Sequence, residues 1–257
     1  MFNTIFITGI GTDVGKTITA AILTEALQAD YWKPVQAGYA EGTDSEFIRS
    51  VITNKKTTVH PETYKLKLAA SPHIAAREEG IEIELNKIYY DYFKIINNQQ
   101  SIINGEWSIV NKTPLNIQSL QTQDSSLITH HSSLITHSSP LTTHHLIIEG
   151  AGGLMVPLSE NEFVIDLVKK INAKVILVSR NYLGSINHSL LTATACKQNN
   201  IDVLGWIFND HYMDYEDEIV QWSGYPKIAS LPFVKAVTTE WIYKQANIIR
   251  SNIKLIT

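Results

Sequence analysis

Residues 9–17 read GIGTDVGKT, three glycines and a lysine set between an apolar, β-rich run at 4–8 (TIFIT) and a run of helix formers at 17–29. This junction constrains the fold more than any other segment. Glycines let the backbone turn sharply and point its N–H groups inward at an anion. The helix that follows adds the positive end of its dipole. A strand, a glycine-rich loop, a lysine and a helix, in that order, form the context of a phosphate-binding loop. In such a loop Lys16 reaches the β- and γ-phosphates, and the Thr17 hydroxyl ligates Mg²⁺. The spacing is unusual: Ile10 holds the usual first glycine position, and five residues separate Gly9 from Gly15. A flexible turn before a helix is the plainer alternative, and the flanking elements argue against it.

The rest of the chain alternates in the same way. Ile18, Ile22 and Ala26 fall four apart and give the first helix an apolar stripe. Residues 31–35 fit a second strand. Thr43-Asp-Ser-Glu46 has the capping-box pattern and predicts a helix to about Val51. Ser71-Pro72 reads as an N-cap with proline at the first helical position. Segments 146–149 (LIIE), 174–179 (KVILVS) and 203–209 (VLGWIFN) predict strands, and 185–198 and 242–250 predict helices. Short apolar strands separated by helices mean βαβ units: an α/β domain with a parallel sheet and helices on both faces.

One stretch departs from this pattern. From about 97 to 145 the sequence turns to Asn, Gln, Ser, Thr and His, and SSLITHH, SSLITHS and SPLTTHH repeat every seven residues over 125–145. The period is that of a coiled coil, but the polar content and the lack of flanking charge pairs argue against one. A low-complexity surface insertion in a single domain spanning 1–257 is expected. Its histidines (His130, His131, His137, His144, His145) lack a rigid scaffold, so no functional metal site is expected there.

Composition narrows the partners. The formal net charge is −4, which argues against nucleic acid as the main ligand. No run of about 18 apolar residues suggests a membrane span. The opening MFNTIFITG lacks a basic stretch and enters a β-rich run at once, so no secretion signal is expected. The single Cys196 excludes an intrachain disulfide and reads as a small buried side chain in a helix. The cytoplasm is the expected compartment.

Three further features carry chemistry. Trp32-Lys-Pro-Val-Gln-Ala-Gly38 sits at the end of the second strand, on the same carboxyl edge as the loop. Lys33 there fits a second cation over a transferring phosphoryl group, although local sequence alone favours a solvated strand-end lysine. Asp44 at a helix start and Glu149 after LII fit hard-oxygen ligands for magnesium. Taken alone, Asp44 fits a helix-dipole residue and Glu149 a strand cap. Glu149-Gly-Ala-Gly-Gly153 gives its strand a glycine-rich exit, suited to a close ligand or to an ordinary tight turn.

Read together and in order, GTDVGKT, WKPVQAG, GTDSE, SPHIA, IIEGAGGLMVPL, YLGSINHSLLT and IFND resemble the dethiobiotin synthetase family. The resemblance spans the chain except 97–145 and the last twenty or so residues. It implies a P-loop NTPase domain that closes a cyclic urea from 7,8-diaminononanoate, CO₂ and Mg-ATP, working as a cytoplasmic homodimer. By the same resemblance Asp13, Val14, Gly15, Lys16, Thr17 and Ile18 would wrap the phosphates, and Thr17, Asp44 and Glu149 would hold Mg²⁺. Lys33 would be the catalytic lysine beside Lys16. Glu149, Gly150, Ala151 and Gly152 would border nucleotide and substrate. Asn209, with Asp210 beside it, would read the adenine edge, and Pro232, Phe233 and Val234 would line the base pocket. Residues 182–187, Asn187 among them, would meet the substrate carboxylate across the dimer. Two departures stand out: Ala37 replaces a common substrate-binding serine, and Asp13 a common glutamate.

Two other families share parts of the pattern. Amidoligases of the cobyrinic acid diamide type resemble the loop and the Lys-Pro pair, but they carry a glutaminase domain with a nucleophilic cysteine. Partitioning ATPases carry a lysine where Gly11 stands.

Overall fold

The computed structural model describes residues 2–103, 144–210 and 213–254. Six strands, β1 (Phe2–Gly9), β2 (Asp30–Trp32), β5 (His144–Glu149), β6 (Lys174–Arg180), β7 (Val203–Asn209) and β8 (Lys227–Leu231), form one sheet in the order β2-β5-β1-β6-β7-β8. Every neighbouring pair is parallel. Two short strands, β3 (Val35–Ala37) and β4 (Tyr64–Leu66), pair in parallel beside it.

Both faces are covered, and the strands show why. In β1, Phe6 faces one core cluster, and Ile5 and Ile7 face the other. Leu146 and Ile148 alternate with Ile147 in β5, and Val175 and Leu177 with Ile176 and Val178 in β6. A strand buried on both sides reads as a continuous apolar run, and its period of two sends alternate residues to opposite helix layers. Helices α1 (Lys16–Leu27), α2 (Asp44–Val51) and α8 (Thr239–Lys254) supply one layer. The other comprises α3 (Pro72–Glu78), α4 (Leu85–Ile103), α5 (Val164–Ile171), α6 (Ser185–Gln198) and α7 (Glu216–Ser223).

The capping box at Thr43 forms as the sequence predicts: Glu46 N–H donates to Thr43 Oγ1 at 3.1 Å, and Thr43 N–H donates to Glu46 Oε2 at 2.8 Å. Cys196 is fully buried in α6, and burial pushes its thiol up to about 12, so it stays protonated. Two expectations need correction. The strand expected over 31–35 breaks at Lys33-Pro34 into β2 and β3. Pro34 has no N–H for a ladder, and its carbonyl instead accepts from Thr63 and Tyr64 N–H at 2.9 and 3.0 Å. The insertion expected over 97–145 is shorter at both ends. Residues 97–103 continue α4, and His144 and His145 enter β5, opposite Phe2 and Asn3. Ladder pairing uses the backbone and tolerates polar side chains. The remainder of the insertion, with His130, His131 and His137, lies outside the described residues.

Two buried carboxylates tie this frame together. Glu25 accepts from the backbone and side chains of Thr53 and Asn54 at 2.6–3.3 Å. Asp30 accepts from Thr58 N–H at 2.8 Å and pairs with His60 at 3.0 Å and His144 at 3.4 Å. Burial pushes both carboxyls up, yet these partners outweigh it and hold both below the ordinary carboxylate range. Depressed carboxyls stabilise the fold above the unfolded-state pKa of about 4, and the contribution is lost as pH falls through the folded values. Glu25→Gln should therefore cost about 1.5–3 kcal/mol at pH 7, with the gap from native narrowing on acidification. Denaturant unfolding across pH checks both, and a gap that is constant with pH would contradict the assignment.

Candidate active site

The chain leaves β1 toward β2 on one side and leaves β5 toward β6 on the other. The loops after β1 and β5, which are neighbours in the sheet, therefore part at adjacent carboxyl ends, where α/β sheets bind ligands. The 9–17 loop wraps this point. Gly15 takes a φ of 89°, and a Cβ there would lie 2.5 Å from Asn209 Nδ2, so only glycine fits. Asn209 Nδ2 donates to the Val14 carbonyl at 2.8 Å, which ties the end of β7 to the loop. Lys16 is buried, its Nζ donating to the Gly11 carbonyl at 2.7 Å inside the cradle. Burial and the charge of Lys33 lower its pKa, while Glu149, Asp44 and Asp13 oppose the shift.

Four predicted residues from separate segments converge beside the cradle. Thr17 Oγ1 donates to Glu149 Oε1 at 2.8 Å and lies 3.1 Å from Asp44 Oδ1. Lys33 Nζ bridges the two acids, pairing with Asp44 Oδ2 and, at 3.1 Å, with Glu149 Oε1. Burial would lower the Lys33 pKa, but the two carboxylates outweigh it and raise it, so this ammonium stays charged. One hydroxyl and two carboxylates form a hard-oxygen set. Mg²⁺ takes one or two carboxylates and completes its shell with water and phosphate oxygens, so the set fits it.

Lys33 sits at the break between β2 and β3. Gln36, in the same motif, accepts from Asp44 N–H at 3.2 Å and donates to the Gly38 carbonyl at 2.8 Å, fixing the start of α2. Gly150 opens the glycine-rich exit of β5, and a Cβ there would meet Phe6 at 2.7 Å. Ala151 and Gly152 follow, half-buried. Ala37 is half-buried in β3. Asn187 is exposed on the first turn of α6, outside this cluster.

A cleft of ≈ 170 Å³ adjoins the cradle. Asp13, Val14, Gly15 and Ile18, which the resemblance gives to the phosphates, line it together with Asn209, Asp210, Pro232, Phe233 and Val234, which it gives to the base. Arg180 and Trp241 line it too, and Arg180 pairs with Asp210 at 3.3 Å. The sequence reading stops at Val234 and misses Trp241. It also misses Tyr31, whose hydroxyl donates to Glu149 Oε2 at 2.8 Å.

A family described as an AAA domain matches residues 3–103 and 94–240. The ATP-dependent dethiobiotin synthetase BioD of Cytophaga hutchinsonii is 41% identical over 236 residues, 91% of each chain. That of Christiangramia forsetii is 38% identical over 79% of this chain and 74% of its own. A chain of the MinC:MinD cell division protein complex of Aquifex aeolicus superposes with a TM-score of 0.53 at 12% identity, over 98% of this chain and 95% of that one, which shows a shared fold. Sequence likeness over nearly the full length, together with a phosphate cradle flanked by Lys33, Asp44 and Glu149, makes this chain a member of the dethiobiotin synthetase family.

Proposed function

We propose that the chain closes the ring of dethiobiotin from 7,8-diaminononanoate, CO₂ and ATP. The observation that carries this reading is the convergence of Thr17, Lys33, Asp44 and Glu149 beside the Lys16 cradle. One amine of the substrate takes up CO₂ and loses a proton, giving a carbamate. The carbamate oxygen attacks the γ-phosphorus, ADP leaves, and a carbamic–phosphoric anhydride remains. The second amine attacks the carbamoyl carbon, phosphate leaves, and the cyclic urea closes.

Each step concentrates negative charge or needs two groups held in register. Lys16 and Lys33 supply fixed positive charge where the phosphoryl group transfers. Thr17, Asp44 and Glu149 would hold Mg²⁺, which when bound neutralises phosphate charge and orients the β- and γ-oxygens. Asn209 and the walls of its cleft seat the base. Rigid placement of the two amines beside the carbamoyl carbon would supply the rest.

The carboxylate tail of the substrate meets residues 182–187, Asn187 among them, across the interface with a second copy. Support comes from Leu183, 91% exposed just before α6, and Leu191, 60% exposed on α6, where a partner would cover them. The acidic balance fits small-molecule substrates in the cytoplasm rather than nucleic acid. Among the described residues no helix is long and apolar enough to cross a membrane.

Incubation with labelled bicarbonate, Mg-ATP and the diamine tests this reading. Label should appear in a cyclic urea with one phosphate released per ring. The rate should fall on acidification, because the attacking amine must be neutral. ATP hydrolysis that proceeds equally fast without the diamine, with no labelled urea, would contradict the reading and favour a nucleotide switch.

A further inference from the structure

Glu149 has two carboxylate oxygens, and the fold gives them different work. Oε1 faces the site, accepting from Thr17 Oγ1 at 2.8 Å and Lys33 Nζ at 3.1 Å. Oε2 points away and accepts the Tyr31 hydroxyl at 2.8 Å. Tyr31 is fully buried on the edge strand β2, packed in the cluster of Ile5, Ile7 and Ile48. Its backbone is held on both sides. Tyr31 lies opposite Ile147 of β5, its N–H donates to Thr58 at 2.9 Å, and its carbonyl accepts from His60 at 2.9 Å. The phenol is thus a fixed point.

A fixed point matters here because the last torsion of a glutamate is broad and barely constrained by its own rotamer. Packing alone leaves the plane of the carboxylate free to turn. Magnesium demands near-octahedral geometry, so the plane of each ligating carboxylate decides how well the site binds. Outer partners of ligating carboxylates set that plane.

We propose that Tyr31 is a positioning residue for the metal site: its hydroxyl occupies Glu149 Oε2 and locks the carboxylate so that Oε1 alone is presented beside Thr17 and Asp44. The inference rests on the reading of Glu149 as a magnesium ligand. Tyr31 is 0% exposed, so in this proposal it acts through Glu149. Nothing in its local sequence marks it, since an aromatic in an apolar strand reads as core.

Tyr31→Phe removes the hydroxyl and keeps the ring that fills the cluster. Mn²⁺ serves as the probe, followed by the EPR signal of the free ion during titration of the full chain with bound ADP. The variant should bind Mn²⁺ about tenfold more weakly. Its affinity for ADP in EDTA should match the native chain, and its melting temperature should fall only modestly, because buried Glu149 Oε2 loses its hydroxyl partner while Thr17 and Lys33 still hold Oε1. Its kcat loss should be recovered by raising Mg²⁺, with KM for the diamine unmoved. Native Mn²⁺ affinity in the variant would overturn the inference. So would an equal loss of ADP affinity with and without metal, which would mark Tyr31 as a packing residue only. Absence of protein-bound Mn²⁺ in the native chain would instead overturn the metal reading of Glu149, and the inference with it, so the two failures are distinct.

Discussion

Lys33→Met is expected to lower kcat by about 10²–10³-fold while Mg-ATP still binds. The lysine is buried between Asp44 and Glu149, and methionine preserves most of its stem. In the proposed mechanism what disappears is a charge that serves the transferring phosphoryl group, a contribution made in the transition state more than in the ground state. A second consequence separates this account from simple damage. Without the ammonium, two neighbouring carboxylates lose their shared cation, and Glu149 has a side chain only 1% exposed. Removing one partner of a buried pair costs about 3–5 kcal/mol, and the lower end applies here because the Asp44 side chain is 28% exposed. The variant should melt early without metal, and Mg²⁺ should raise its melting temperature more than it raises that of the native chain. Single-turnover kinetics and paired melting curves measure both effects. A near-native kcat, or no added response to Mg²⁺, would contradict the role given to Lys33.

Lys16→Ala should be nearly as damaging, through a different term. The ammonium lies inside the loop, 2.7 Å from the Gly11 carbonyl, where it can swing to phosphate oxygens. Because the lysine of such a loop reaches the β- and γ-phosphates, its loss should weaken ATP more than ADP. Turnover is expected to fall by about 10²–10³-fold, and the preference for ATP over ADP should shrink. Calorimetric titration of both nucleotides gives the ratio directly. An unchanged ratio would mean that Lys16 serves the loop backbone and not the phosphate.

The parts of this fold legible in the sequence are those written locally. The Gly9–Lys16 junction, the Thr43 capping box and the apolar strands carry their own geometry, and the structure forms them close to where the sequence places them. Strands β3, β4 and β8 are three to five residues long, too short for a period to show. Helix α5 is capped by Phe163, whose backbone N–H donates to Asp166 Oδ2 at 2.9 Å, and an apolar residue at the cap hides the signal. The site is harder to read, since Thr17 and Glu149 are 132 residues apart. No periodicity brings them together, and only the ordered motifs did. Tyr31, Gln36, Arg180 and Trp241 escaped because their roles come from what the fold places opposite them.

All of this depends on Thr17, Asp44 and Glu149 forming a metal shelf from which Lys33 must withdraw. A crystal structure with Mg²⁺, a non-hydrolysable ATP analogue and the diamine measures that arrangement directly. The account predicts a metal at about 2.0–2.1 Å from Thr17 Oγ1 and Glu149 Oε1, with Asp44 bound directly or through water and Lys33 Nζ turned toward the γ-phosphate. A metal held elsewhere, or Lys33 still bridging both acids beside a bound triphosphate, would contradict it.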